Sequence, residues 1–185
     1  MKYCSECGRP VNVQRPDGAP ARYVCSSCGA VFFQSPRLAV ACIAEWENQV
    51  LLCRRAVDPG YGLWTLPAGF IESNETGMKG VIRETLEEAG VVVEVGRPYA
   101  LFHIPHVNQA HIVFLARLLD TNFRAGTESL DVRLFGQEEV PWDALAFATT
   151  REALRHYFRD RQDGEICGFH FADIVPVESW PGALL

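Results

Sequence analysis

Two Cys-x-x-Cys pairs, Cys4 with Cys7 and Cys25 with Cys28, stand seventeen residues apart at the head of this chain and limit what its first segment can fold into. Thirty residues with so few apolar side chains cannot bury enough surface to hold a fold, so a cross-link must supply much of the folding free energy. The spacing lies in the range of a four-cysteine zinc site, where four thiolates surround one tetrahedral ion. Gly8 directly follows Cys7 and Gly29 directly follows Cys28, and a glycine there lets the backbone turn so that both thiolates of a pair reach the same ion. Two disulfides or a redox pair are the competing readings. The doubled motif, and a start, Met1-Lys2-Tyr3-Cys4, without the apolar core of a secretory signal, favour zinc. The expectation is a ribbon of short strands over residues 1–34, with Cys4, Cys7, Cys25 and Cys28 as zinc ligands, ahead of a larger domain over 35–185. The ribbon's basic residues, Lys2, Arg9, Arg15 and Arg22, are too sparse to track a nucleic acid backbone, so it reads as a scaffold.

The remaining chain, out of 185 residues in all, has room for one full domain. With 17 basic against 23 acidic side chains the net charge is −6, which argues against a broad footprint for nucleic acid or an anionic membrane. No stretch approaches the ~20 apolar residues of a membrane span, and the expected compartment is the cytoplasm. Cys42, Cys53 and Cys167 sit in apolar surroundings and read as packing residues. Leu38 to Ala44 and Val50 to Cys53 form a hairpin about Glu47-Asn48-Gln49. Glycines 60 and 62 and prolines 59 and 67 mark a loop around Leu63-Trp64-Thr65-Leu66. Further strands are expected at Val91 to Val95, Tyr99 to Ile104, His111 to Leu118 and Val132 to Phe135, with a second helix over Thr150 to Arg159 and a short turn at Asp143. The tail from Glu165 to Ile174 alternates like a late strand. Strands outnumber helices and do not interleave evenly with them, which predicts an α+β fold with a mixed sheet flanked by helices.

The chemistry concentrates on the helix expected over Glu75 to Ala89. Asn74 is its expected cap, Gly90 its end, and Met78, Val81, Ile82, Thr85, Leu86 and Ala89 its apolar side. Glu84, Glu87 and Glu88, at i, i+3 and i+4, share the opposite face within ~5–6 Å of one another. Three carboxylates so close repel, and they become favourable together around a hard divalent cation with oxygen ligands, such as magnesium or manganese. The alternative for a Glu-rich helix is a solvated acidic face. Arg83 follows Glu75 by eight residues, within reach of its long side chain if Glu75 lies at a frayed first turn.

The string Gly69-Phe-Ile-Glu-Ser-Asn-Glu75, seven residues, then Arg83-Glu84-Thr85-Leu86-Glu87-Glu88-Ala89-Gly90-Val91, matches the Nudix box GxxxxxE(x7)REUxEExGU, and by it the chain resembles the Nudix hydrolases. The one departure is Thr85, where U calls for a bulky aliphatic; that position packs inward, so it concerns local packing. Leu63 to Gly69 looks like the lead-in to the box, and the ribbon is similar to that of the NADH diphosphatase branch. The stretches Pro36 to Ala44, Ile104-Pro105 with Gln109, and Glu128 through Phe135 to Phe147 look most like the plant chloroplast FAD and ADP-ribose diphosphatases. The SQPWPF-type array of the NADH diphosphatases is replaced by Ala100-Leu-Phe-His-Ile-Pro-His, which lowers NADH as a substrate.

The resemblance implies a Nudix fold, and cleavage of a nucleoside diphosphate linked to another moiety X into a nucleoside monophosphate and phospho-X, with ADP-ribose and FAD as first substrates, NADH next, and a homodimer usual for the ADP-ribose group. Two adjacent phosphates repel an anionic nucleophile until cations neutralise them. Glu84 and Glu88, one helical turn apart, are therefore expected as the principal Mg²⁺ or Mn²⁺ ligands, with Glu87 a further ligand or a base. The resemblance adds the Ala68 carbonyl as a ligand, places Gly69 beside it at the substrate, and implies a structural ion pair between Glu75 and Arg83. Glu128 is the candidate general base, with Glu138 and Glu139 as competitors, and Arg55 the candidate phosphate contact at the end of its strand. Among the histidines His103, His106 and His111, polar lining of a base or sugar pocket is a better use than metal binding. Trp64, Phe70, Tyr61 and Phe102 are candidate stacking rings, though core packing is the commoner use of each. Two rival functions stand beside this one: sanitation of nucleoside triphosphates, and a catalytically silent nucleotide-sensing module. Retention of all four box glutamates argues against the silent module.

Overall fold

A computed structural model of the chain describes residues 1–15, 20–164 and 168–175. Two compact units meet at Pro36 and Arg37. The first holds three short antiparallel strands in the order β1 (Val11–Gln14), β2 (Arg22–Cys25) and β3 (Val31–Phe32). Among its described residues only Cys4 and Cys25 are buried, so the unit has no apolar core to speak of. Its order comes from two tight turns instead. The Gly8 and Gly29 N–H groups each donate 2.9 Å bonds to the Cys4 and Cys25 carbonyls, with φ of 71° and 76°, a left-handed conformation that suits glycine.

The second unit is a mixed sheet between two helices. Its strands are β4 (Arg37–Trp46), β5 (Gln49–Arg55), β6 (Trp64–Thr65), β7 (Ala68–Phe70), β8 (Val93–Ile104), β9 (Gln109–Leu118), β10 (Ser129–Phe135) and β11 (His170–Asp173); its helices are α1 (Gly77–Ala89) and α2 (Ala148–Gln162). Their order is β10-β5-β4-β9-β8-β11, with β4–β9 and β8–β11 parallel. The unbroken apolar run of β4 is explained by burial on both faces. Val40, Cys42 and Ala44 pack in the layer containing Val81 and Ala89 of α1, and Ala41 and Ile43 in the layer containing Leu154, Tyr157 and Phe158 of α2. No helix among the described residues is long and apolar enough to cross a membrane.

One topological feature prepares the site. β4 and β5 pair only at Glu45↔Val50 and Trp46↔Gln49; beyond that β7 takes over the edge of β4, and β6 that of β5. The sheet therefore splits, and a cleft opens between the two short strands.

Several expectations are corrected. The strands at Val91 to Val95 and Tyr99 to Ile104 are one strand, β8, interrupted by register shifts around Pro98. The cap of α1 is Thr76, whose hydroxyl accepts the Lys79 N–H; Asn74 instead takes a left-handed turn with φ 66°, and Glu75 precedes the helix. Met78, Ile82 and Leu86 are exposed. The helix rests instead on a narrower face that includes Gly77, Gly80, Val81, Thr85 and Ala89. A Cβ on Gly80 would lie 3.1 Å from Val40, and one on Gly77 3.2 Å from Phe114, so the two glycines let the helix come close. Glu88 belongs to this buried side rather than to the open one, because 81, 85 and 88 follow the i, i+4, i+7 progression. Thr85, the departure from the box pattern, is fully buried, and its hydroxyl donates to the Val81 carbonyl at 2.7 Å with Cys42 Sγ at 3.3 Å. Phe102 is a core residue, Trp64 packs edge-on against Phe135, and Tyr61 lies open to solvent. Of the tail strand, residues 170–173 form β11 and residues 165–167, Cys167 among them, lie outside the described residues.

Candidate functional site

At the split in the sheet lies a cavity of about 680 Å³, the size of a small-molecule site. Glu84, Glu87 and Glu88 line it from α1, Ala68, Gly69 and Phe70 from β7, Arg55 from the end of β5, and Glu128 from the loop before β10.

Each carboxylate has a different setting. Glu88 is almost fully buried, with one backbone partner, the Ala68 N–H donating to its Oε2 at 3.1 Å. Burial pushes its carboxyl up to about 8 against the help of that N–H, and the charge of Glu84 pushes the same way. Glu84 lies against Gly69, where a Cβ would stand 1.9 Å from its Oε1; any side chain at 69 would displace the carboxylate. Burial raises the Glu84 carboxyl as well, opposed by Arg83. Glu87 is the open member, 58% exposed.

Arg83 binds this edge together. Its guanidinium donates to both oxygens of Glu75 at 2.9 Å, to Glu84 at 2.6 Å, to Glu87 at 3.1 Å and to the Phe70 carbonyl at 3.1 Å. Glu75 can be met because it sits ahead of the helix, in a turn where its Oε2 also accepts the Glu72 N–H at 3.1 Å. Those donors, Arg83 first, hold its carboxyl down at about 2. Among the described residues, the only group of three or more His, Cys, Asp or Glu side chains placed to share one metal ion is the cysteine quartet, its sulphurs mutually within 4.8 Å. Arg83 takes Glu84 and Glu87, and the backbone takes Glu88.

Glu128 reaches the cavity because its loop is fastened to the end of α1. The Gly126 N–H donates to the Glu88 carbonyl at 3.0 Å and the Arg124 N–H to the Ala89 carbonyl at 2.8 Å. A Cβ on Gly126 would lie 1.7 Å from the Glu87 carbonyl oxygen, so only glycine allows this approach. The competitors Glu138 and Glu139 stand in a 3₁₀ turn, Gln137–Glu139, and do not line the cavity. Arg55 lies over the Phe147 ring at 5.0 Å and donates to the Pro59 carbonyl, whereas Arg54 points to the Gly62 carbonyl. Among the histidines, His111 lines the cavity, while His103 pairs with Asp173 at 3.1 Å. Sequence reasoning missed Arg37, Ala39, Gln109, Thr149 and Thr150, all on the lining. A signal existed for part of this: the alternation Arg37, Ala39, Ala41 puts small residues on one face of a strand otherwise rich in larger ones.

In the first unit Cys4 and Cys28 Sγ stand 3.6 Å apart and Cys7 and Cys25 Sγ 3.5 Å. A tetrahedral ion with Zn–S of ~2.3 Å sets S···S at ~3.8 Å, so the donor set fits zinc.

The family model described as NUDIX domain matches residues 35–167, and that described as Nudix N-terminal, a zinc ribbon, matches 2–34. An ADP-ribose pyrophosphatase of Methanocaldococcus jannaschii is 30% identical over 128 residues, which cover 67% of this chain and 74% of that protein. An NAD-capped RNA hydrolase NudC of Salmonella heidelberg is 31% identical over 93 residues, half of this chain but 35% of that protein. Among solved structures, a NUDIX hydrolase from Nitrosomonas europaea superposes with a TM-score of 0.87 at 45% identity, over 94% of this chain and all of that one.

Proposed function

The chain belongs to the Nudix family, and from that membership we propose that it is a divalent-cation-dependent diphosphatase that splits a nucleoside diphosphate linked to X, with ADP-ribose first and FAD and NADH after it. The observation that carries this reading is the pair Glu84 and Glu88, brought to the split in the sheet beside Ala68 and Gly69 in a cavity of substrate size.

The donors suit a hard cation. Glu88 is a buried carboxylate with a single N–H partner, and its raised proton affinity marks a charge short of stabilisation. Glu84, Glu88 and the Ala68 carbonyl would hold Mg²⁺ or Mn²⁺, with Glu87 a further ligand. The ion supplies neutralisation of the diphosphate and a lowered pKa for water. The chain's own groups do the rest. Arg55, at the cavity wall, holds a phosphate oxygen of the substrate. Glu128 takes the proton from the attacking water. As its oxygen bonds to one phosphorus, the bridging P–O bond breaks, and nucleoside monophosphate and phospho-X leave. Arg83 and Glu75 position β7 and the carboxylates and touch no substrate. Cys4, Cys7, Cys25 and Cys28 hold structural Zn²⁺ as thiolates.

The test is incubation of the zinc-loaded protein with Mg²⁺ and ADP-ribose, FAD, NADH and nucleoside triphosphates, following AMP and other products by chromatography. AMP from ADP-ribose supports the reading. No turnover of any diphosphate sinks it, and tight ADP-ribose binding without turnover would make the chain a sensor.

A further inference from the structure

The first turn of α2 forms part of the cavity wall through Phe147, Thr149 and Thr150. A helix begins with backbone N–H groups that have no partner within it, and a Ser, Thr, Asp or Asn at the cap commonly takes one of them. Here the cap is Phe147, whose side chain has no acceptor, and no acidic residue stands in the first turn. The Arg151 N–H donates to the Phe147 carbonyl at 3.2 Å, and the N–H groups of Ala148, Thr149 and Thr150 lie ahead of that bond. Such a terminus carries partial positive charge and suits an anion.

The side chains at the same place add a second, independent observation. Thr149 is 5% exposed and lines the cavity, and among the described residues its hydroxyl has no hydrogen-bond partner. A buried hydroxyl left so is unfavourable until a ligand meets it. Thr150, also buried, meets the Thr65 hydroxyl at 3.0 Å, and both line the cavity. Two hydroxyls carry two protons and their mutual bond uses one, so the pair keeps one O–H to donate. Arg55 stands at the same corner, its guanidinium 5.0 Å over the Phe147 ring. The Pro59 carbonyl takes its Nε, which leaves the two terminal nitrogens as donors.

The cavity is therefore polarised. The α2 wall offers donors, whereas Glu84, Glu87 and Glu88, when ionised, only accept. The two helices pack on opposite faces of the sheet, and their groups share one cavity because the sheet splits at β6 and β7. Thr65, which meets Thr150, and Ala68, whose N–H holds Glu88, are three residues apart, so their Cα atoms stand no more than ~11 Å from each other.

We propose that the first turn of α2, with the Thr149 hydroxyl and Arg55, is a phosphate subsite that takes the phosphate of the substrate lying farther from the carboxylates. The proposal rests on the reading of the substrate as a nucleoside diphosphate derivative. A phosphate beside the glutamates needs a cation to offset their charge, whereas one at α2 meets donors alone. The product that carries this phosphate is held whether or not a cation is present.

The experiment is calorimetric titration of the full-length, zinc-loaded protein with inorganic phosphate, AMP and ribose 5-phosphate, without Mg²⁺ and with it, alongside Thr149→Val, Thr149→Ser and Arg55→Gln. The wild-type protein should bind inorganic phosphate without Mg²⁺. Thr149→Val, which keeps the shape and removes the hydroxyl, should weaken that binding at least about tenfold, in line with a hydrogen bond to a charged group. Thr149→Ser, which keeps the hydroxyl and removes the methyl group, should bind nearly as the wild type does. Arg55→Gln reads the same corner without altering the helix and should also weaken phosphate at least about tenfold. Of AMP and ribose 5-phosphate, the one whose affinity falls in Thr149→Val is the half whose phosphate lies at α2. Phosphate binding only in the presence of Mg²⁺ overturns the proposal, because it places the anion at the carboxylates. So does equal binding by the wild type and Thr149→Val, or a loss in Thr149→Ser as large as in Thr149→Val, which would make Thr149 a packing residue. Cation-free phosphate binding that depends on Thr149, without turnover of any diphosphate, would refute the enzymatic reading and leave the subsite standing.

Discussion

The cysteine quartet and the glutamate edge proposed to take a cation are held in different ways. In the first unit two glycine turns set the four sulphurs within 4.8 Å of one another, and there is no apolar core to order the segment otherwise. In the second unit two buried layers pack the described strands and helices, and the carboxylates are engaged by protein donors: Glu84 and Glu87 by Arg83, and Glu88 by the Ala68 N–H. A cation at the sulphurs is part of folding, whereas a cation at the carboxylates has to compete with groups already in place. The first suits a permanent structural ion, and the second an ion that exchanges with the substrate.

The largest effect should come from breaking the sulphur site. Cys25→Ser, at the more buried end of the quartet, should abolish zinc retention as read by elemental analysis and erase the dispersed amide resonances of residues 1–36, because ~10–16 kcal/mol of apparent folding free energy comes from such an ion. Retained zinc with a folded segment would show that the unit does not depend on four thiolates. Next is Glu88→Gln. The amide oxygen can still accept the Ala68 N–H, so the melting temperature at neutral pH should hold or rise as a buried carboxyl that must take up a proton on folding is removed, while kcat falls by at least ~10²-fold with the lost cation ligand. If activity and stability fell together, Glu88 would be a packing residue.

That contrast also explains what could be read from the chain alone. The cysteine pairs are local, each on one turn, so their spacing announced the ribbon. The two-faced burial of β4 was visible as an apolar run, and the box marked the helix that carries the glutamates. What escaped was set by pairing over long separations. The cap moved from Asn74 to Thr76 because Asn74 serves the turn that brings Glu75 to Arg83. Met78, Ile82 and Leu86 look apolar-facing on a helical wheel, yet Gly77 and Gly80 decide which side docks on Val40 and Phe114. Arg37, Ala39 and Gln109 enter the cavity only because β7 and β9 flank β4, a register no local pattern encodes.

Smaller effects sharpen the comparison within the glutamate edge. Gly69→Ala places a methyl group where the Glu84 carboxylate now lies, and that flexible side chain can swing aside at little cost to the fold. The displacement should lower kcat by roughly 10–10²-fold with the melting temperature nearly unchanged, since a shift of about 1 Å at a catalytic group costs that much. An unaltered rate would show that Glu84 need not occupy its place on Gly69.

The smallest change expected is that from Glu75→Gln, which weakens the grip of Arg83 on the turn before α1 while leaving the cavity's carboxylates in place. Its sign with pH follows from the depressed carboxyl. A group held near 2 in the folded chain and near 4.5 in the unfolded one stabilises fully above 4.5, and that contribution is lost as the pH falls toward 2. The variant should therefore melt below the wild-type protein at pH 7, and the gap should close progressively between pH 4.5 and 2 in thermal melts across that range. A gap independent of pH would mean that the glutamate acts there by its shape and its Glu72 N–H bond, with the charge on Arg83 incidental.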